Sequence, residues 1–340
     1  MYNNTVNYLR NCKYNKQDCV YNFKKLRTYH LKDTINIIAR KYKIPIHVID
    51  GSIKLACASY KSALTNLKNG NIKHFIIRYI KKSKPSHVIS IEKSFFFKNG
   101  FCKNFLGEMK NNSNFSYLNI KCDSKLHYDK NYNRFTLLVP LKENVKKEPE
   151  KNNYIGVDPG TRTFLTGVSN KKIVSIGNNL TSTIKTTFNC LDNITNNKNI
   201  NNSIKNKHKK RINRRLSNIV DDLHWKSINY LTNNFDAIVI GNLSTKSCVN
   251  NKTSKLTKMT KKIILKMSYY KFLQRLAYKC QSKCISLQIV NESYTSKLCS
   301  NCCWENVNLN GQKIFKCELC KKNIYRDING SRNIVIKGFA

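Results

Sequence analysis

Apolar residues in the first seventy positions recur three or four apart. The stretch TINIIARKYK (34–43) predicts one helix. Over 52–68, Ile53, Ala56, Cys57, Tyr60, Ala63, Leu64 and Leu67 fall on one face of a second. Asp50 or Ser52 is placed to cap that helix and Gly70 to end it. The period then switches to two. Phe75, Ile77 and Tyr79 alternate with polar or charged residues, and Ile89 and Ile91 follow suit. Asn99-Gly100 is a hairpin signal, and KLHYDKNYNRFTLLVPL (125–141) reads as another hairpin. Residues 72–140 are thus expected to be mostly antiparallel sheet. The polar, charged, proline-bearing stretch 141–153 is the candidate linker.

The texture changes at residue 154. YIGVDPGTRTFLTGVSNKKIVSIG predicts strand, turn and strand, and the asparagine-rich stretch 189–206 predicts a loop. KNKHKKRINRRLSNIVDDLHWKSINYL predicts a long helix with a very basic start. FDAIVIGNL is a short β-branched run suited to a buried strand. A polar, lysine-rich loop (244–262) is expected next, then the helix IILKMSYYKFLQRLAYKC, the strand CISLQIVN, a cysteine cluster and the helix start RDINGSRNIVIKG.

Charge narrows the partners. Lysine and arginine number 62 against 19 acids, a net +43. Such a charge repels itself in a compact state unless a polyanion neutralises it. Nucleic acid, with one phosphate charge per ~1.7 Å of duplex axis, is the natural partner. Hydrophobic residues make up 40% of the chain, enough to fold. No run of 18 apolar residues and no apolar N-terminal signal core is present, which points to an intracellular protein with no membrane partner. Of the fourteen cysteines only Cys299, Cys302, Cys317 and Cys320 form a pattern. Two C-x-x-C knuckles complete the tetrahedron that Zn2+ prefers, and with no open position the ion is expected to be structural.

Three carboxylates stand where strands or turns end. Asp158 closes YIGV before a Pro-Gly turn, where it could reach a hydrated Mg2+; it equally fits a plain turn. Asp327 opens the last helix and equally fits a cap. Hydrolysis of phosphodiesters with two divalent ions ~3.5–4 Å apart needs a third acid. The strand AIVI ends in Gly241 and Asn242, which cannot ligate strongly, and Asp221, Asp222 and Asp236 are misplaced. Glu292, directly after ISLQIVN and seven residues before Cys299, is the candidate.

The segments IGVDPGTRTFLTGV, IVIGNLSTK, NESYTSKLCSNC and RDINGSRNI resemble the split RuvC motifs and target-nucleic-acid-binding ribbon of TnpB proteins. These are transposon-encoded relatives of type V CRISPR nucleases, and Fanzor is the eukaryotic and viral branch. The resemblance covers about 154–340 with specific motifs and 45–140 more loosely. It implies an α/β chain with an RNase H-like (RuvC) nuclease domain over 154–340 carrying an inserted zinc ribbon (293–325). Residues 1–140 would form a wedge-like β-barrel with recognition helices. TnpB usually has glutamate where this chain has Gly241, whereas many Fanzors carry a replacement just before the ribbon, where Glu292 stands. Ile324-Tyr325-Arg326 also departs from the histidine and aspartate often found before the last acid. The implied activity is Mg2+-dependent DNA cleavage by Asp158, Glu292 and Asp327, guided by an RNA from the chain's own locus. Lys205, Lys207, Lys209, Lys210, Arg211, Arg214 and Arg215 would wall the channel for the RNA–DNA duplex. In a eukaryotic or large-virus host the protein would work in a nucleus or viral factory, otherwise in cytoplasm or nucleoid. The alternatives are a guided or nonspecific binder that no longer cuts, an unguided resolvase or RNase H-type enzyme, and a zinc-ribbon transcription factor.

Overall fold

The computed structural model describes residues 1–14, 20–98, 100–107, 116, 120–142, 153–250, 252, 254–307 and 312–339. It divides into two compact units, Met1–Lys142 and Glu143–Ala340. Most of the expected linker, 143–152, lies outside the described residues.

The first unit begins with helices α1 (Tyr2–Tyr14), α2 (Phe23–Lys25), α3 (Lys32–Tyr42) and α4 (Ile46–Lys68). Leu9, Leu26, Ile35, Ile53 and Cys57 form their shared core. Helix α4 starts six residues before the expected 52, behind Pro45, whose missing N–H costs nothing at a helix start. Neither Asp50 nor Ser52 caps it. Asp50 instead accepts both its bonds from Arg27 Nε, at 3.0 and 2.9 Å. The alternation at Phe75, Ile77 and Tyr79 marks an extended segment rather than a strand. Two of its carbonyls are taken by α1 side chains: Asn3 Nδ2 donates to the Ile80 carbonyl at 3.0 Å, and Arg10 Nε to that of Ile77 at 2.8 Å.

Strands β1 (Ser86–Ile91), β2 (Phe96–Phe97) and β3 (Gly100–Phe101), helix α5 (Lys103–Leu106) and strands β4 (Ser124–Asp129) and β5 (Arg134–Leu138) follow. The β4–β5 hairpin forms, and β1-β4-β5 is an antiparallel sheet. Strands β2 and β3 make a separate two-residue pair about a turn whose Asn99 lies outside the described residues. Among the described residues the expected β-barrel is not found. The sheet β1-β4-β5 is open at both edges among the described residues, and the extended segment before it bonds α1 instead.

The second unit contains β6 (Tyr154–Pro159), β7 (Leu165–Ser169), β8 (Ile173–Ile176), α6 (Leu180–Asn196), α7 (Asn202–Asn234) and β9 (Ala237–Gly241). After these come α8 (Thr245–Val249), α9 (Lys258–Met267), α10 (Tyr269–Ser282), β10 (Ser286–Val290), β11 (Ile314–Lys316), β12 (Asn323–Tyr325) and α11 (Arg326–Phe339). The main sheet runs β10-β9-β6-β7-β8. Strands β6, β7 and β8 form an antiparallel meander, and β9 and β10 run parallel to β6. Ile155, Val157, Ile238 and Ile240 join Leu216, Ile228, Leu231, Phe272 and Leu276 in one core. Helix α11 lies against the sheet so closely that a Cβ on Gly156 would meet Val335 Cγ2 at 2.2 Å. Only glycine fits there.

Two expected loops contain helix. Within 189–206, α6 continues to Asn196 and α7 starts at Asn202, because burial of Ile184 and Leu191 outweighs the weak helix propensity of asparagine and threonine. Within 244–262, Ser244 and Thr257 cap α8 and the start of α9. The single helix expected over 263–280 breaks at Ser268, which is left-handed (φ 51°). Among the described residues, no helix is long and apolar enough to cross a membrane.

Candidate functional site

Cys299, Cys302, Cys317 and Cys320 have all four sulfurs within 4.8 Å of one another. The separations Cys299–Cys320 and Cys302–Cys317 are 3.7 and 3.4 Å. A tetrahedral Zn2+ with ~2.3 Å bonds would set them ~3.8 Å apart, so the quartet could hold zinc. The residue after each knuckle is left-handed, Cys303 (φ 61°) and Lys321 (φ 58°). Cys303 therefore serves as a turn residue and points outward. Strands β11 and β12 pair beneath the knuckles, and Phe315 and Trp304 fill the small core.

Buried amides fasten this module to α11. Asn329 Oδ1 accepts the Ser300 N–H at 2.8 Å, and its Nδ2 donates to Leu298 O at 2.7 Å. Asn333 Nδ2 donates to Thr295 O and Leu298 O, both at 2.7 Å. The sequence showed these asparagines only as part of a polar helix start. Their i, i+4 spacing on a helix with a buried face was the available signal.

The three candidate acids come from separate elements. Asp158 is near the end of β6, Glu292 lies two residues beyond β10, and Asp327 is in the first turn of α11. The structure brings them together: burial first, then the charges of Glu292 and Asp327, push the Asp158 carboxyl well above its ordinary range, opposed by Arg326. Burial raises Glu292 to about 7. Their ligand atoms are spread more widely than the cysteines, which among the described residues are the one group of three or more His, Cys, Asp or Glu atoms within 4.8 Å.

Gly241 explains how Glu292 enters. Strands β9 and β10 are parallel with Gly241 opposite Val290. A Cβ on Gly241 would stand 2.5 Å from both Cγ and Oε1 of Glu292. The glutamate thus occupies the volume a side chain at 241 would fill. Its Oε1 is buried with no hydrogen-bond partner among the described residues. Such an atom carries a substantial desolvation cost that a cation would relieve, so the acids fit a divalent metal.

The remaining acids have other roles. Asp221 pairs with Lys271 and Arg275 at 3.0 and 2.8 Å, and Asp222 with Lys226 at 2.9 Å. A cleft of about 450 Å3 opens at Asp327, lined by Arg162, Asn178, Asn179, Lys313 and Tyr325. The basic run lies on the N-terminal half of α7, with Lys207, Lys210, Arg211, Arg214 and Arg215 exposed and Lys205 and Lys209 half-buried. Tyr269 and Cys248, which sequence reasoning missed, lie near enough to Glu292 to feel its charge.

A sheet of this kind, with acids gathered from its strand ends and a cysteine ribbon docked on the last helix, defines a class that can be compared with known proteins. The family model Cas12f1-like, TNB domain matches residues 269–334. A TnpB-like protein of Acanthamoeba polyphaga mimivirus is 34% identical over 307 residues, covering 87% of this chain and 58% of that protein. The CRISPR-associated endodeoxyribonuclease Cas12f1 of Sulfoacidibacillus thermotolerans is 37% identical over 70 residues, 20% of this chain and 17% of that protein. The cryo-EM structure of a Cas12f1-sgRNA-target DNA complex shares the fold at a TM-score of 0.58 and 16% identity, covering 98% of this chain and 79% of that one. Over 87% of its length the chain is similar in sequence to TnpB-like proteins. It spans less than two thirds of the three mimivirus TnpB-like proteins it matches, 57–58% of their length.

Proposed function

We propose that the chain is an RNA-guided DNA endonuclease with an RNase H-like (RuvC) site, of the Fanzor-like kind whose glutamate has moved from the end of β9 to the start of the ribbon. The observation that carries the reading is Glu292, seated in the space Gly241 leaves open with an unpartnered buried oxygen. Asp158, Glu292 and Asp327 would hold Mg2+, two ions in the usual arrangement, and Cys299, Cys302, Cys317 and Cys320 would hold a structural Zn2+. Bound Mg2+ supplies Lewis acidity and neutralises charge at the phosphodiester. The chain's own residues do the rest. Arg162 and Lys313 offer phosphate partners at the cleft beside Asp327. The cations of α7 bind a duplex by its backbone, leaving sequence to base pairing. Residues 1–140 act as the recognition region, 154–340 as the nuclease and 293–325 as its ribbon.

Co-expression beside the flanking DNA, so that any native RNA co-purifies, gives the test. The complex is challenged with a DNA library matching that RNA, with Mg2+, as wild type and as Glu292→Ala. Guide-matched cutting lost in the variant supports the reading. Binding of matched targets without cutting by the wild type would instead make the chain a guided binder whose missing acid at 241 was never replaced.

A further inference from the structure

The Asp158 carboxylate receives no hydrogen bond from any side chain among the described residues, so its place is set by its strand and the turn behind it. That turn is clamped from outside. Gly160 N–H donates to Phe164 O at 3.1 Å, which closes the loop on itself. Thr181 Oγ1 donates to the Thr161 carbonyl and Tyr269 Oη to the Gly160 carbonyl. Tyr269 is 1% exposed and its ring stacks on Phe164 at 5.4 Å; Phe164 in turn packs edge-on against Phe272 at 5.1 Å. The break between α9 and α10 makes Tyr269 the first residue of α10, and the break depends on Ser268 holding a left-handed conformation that costs a non-glycine residue on the order of 1 kcal/mol or more. Burial, then Glu292, Cys248 and Asp158, push the phenol's pKa up, so it stays protonated as a donor.

We propose that Tyr269 is a positioning residue of the acid site: its hydroxyl fixes the Asp158-Pro159-Gly160 turn and thereby the direction in which Asp158 meets a divalent cation. The inference rests on the acids holding a metal, as proposed above. Tyr269→Phe keeps the ring and its stacking and removes only the donor. Phe272→Leu, in the same aromatic cluster but without a bond to the turn, serves as the packing control.

The experiment uses the RNA-bound full chain. It measures cutting of guide-matched DNA against Mg2+ concentration, Mn2+ binding by electron paramagnetic resonance, and melting temperature. Loss of one buried hydrogen bond is worth roughly tenfold in an equilibrium. Tyr269→Phe should therefore need about tenfold more Mg2+ and bind Mn2+ about tenfold more weakly, with target binding unchanged. Phe272→Leu should lower the melting temperature without moving the metal dependence. A Tyr269→Phe metal dependence equal to wild type, or an equal shift in Phe272→Leu, overturns the inference. Failure of the underlying reading looks different: there the wild type itself neither cuts nor binds Mn2+ through Glu292.

Discussion

The exchange between Gly241 and Glu292 makes a demand that a merely buried glutamate would not. In Gly241→Ala the new methyl would lie 2.5 Å from Glu292 Cγ and Oε1 and 2.9 Å from Cδ. Carbon contacts are comfortable at ~3.5 Å or more, so the glutamate must withdraw by about 1 Å. A misplacement of that size in a reacting constellation can cost on the order of 100-fold in rate. The fold should not suffer, because the displaced atoms are the end of a flexible side chain and alanine lowers the conformational entropy of the unfolded chain relative to glycine. Gly241→Ala should thus cut guide-matched DNA about 100-fold more slowly while melting no lower than wild type. The swap Gly241→Glu with Glu292→Ala should recover much of that loss, since position 241 points into the same volume. Single-turnover cleavage, gel-shift binding and thermal melting on the same preparations make the assay. Wild-type cutting by Gly241→Ala, with its melting temperature intact, would refute the claim that Glu292 works from this seat.

Without added Mg2+, the folded Glu292 keeps a proton to about pH 7, whereas the unfolded residue releases it near ~4.3. Its folded pKa is raised, so stability is unaffected below ~4.3, falls as pH rises towards 7 and stays lower above, by at most about 4 kcal/mol. Glu292→Gln should flatten this dependence, and Mg2+ should raise the wild-type melting temperature more at pH 8 than at pH 5.5; a wild-type stability indifferent to both would contradict it. The ribbon should carry one zinc per chain by elemental analysis, and Cys317→Ser should lose it while red-shifting Trp304, which packs on Phe315 at 6.5 Å. Replacing Lys207, Lys210, Arg211 and Arg214 with alanine should reduce the salt dependence of DNA binding by ~0.9 in log–log slope per lost phosphate contact. An unchanged slope would make that helix face a solvated surface only.

Periodicity carried far along this chain where burial is one-sided. The apolar face of α4, the β4–β5 hairpin and the run AIVIG are visible in the letters because each sets its burial by local spacing. What local spacing cannot show is who satisfies the backbone. Phe75, Ile77 and Tyr79 alternate like a strand, yet the Ile77 carbonyl and the Tyr79 hydroxyl bond α1 side chains about seventy residues away in sequence, so this segment joins no sheet. Residues 189–196 illustrate the reverse error. Their composition favours a loop, but a helix needs only a few well-placed apolar contacts, and Ile184 and Leu191 provide them. At the site, the acids and cysteines were legible because chemistry restricts residue type. Tyr269, Asn329 and Asn333 were not, since their work is to bond backbone carbonyls and amides whose positions exist only in the folded chain.

On the proposed reading, the same distinction accounts for an acid site that lacks a carboxylate at the end of one strand and receives it from the next. Parallel neighbours lie ~4.8 Å apart, and their ends open onto a common space. Gly241 and Val290 are register partners, and Glu292, two residues past Val290, brings its Cγ and Oε1 to 2.5 Å from where a Cβ at 241 would stand. Glutamate has the length to cross that gap, and the absence of a side chain at 241 is what leaves room for it. Asp158 and Asp327 have no such freedom, because one is fixed by a strand and a clamped turn and the other by a helix tied to the ribbon. Selection for metal binding would then act on the filled volume rather than on the sequence position. The site is better described by what converges between β6, β10 and α11 than by any fixed motif.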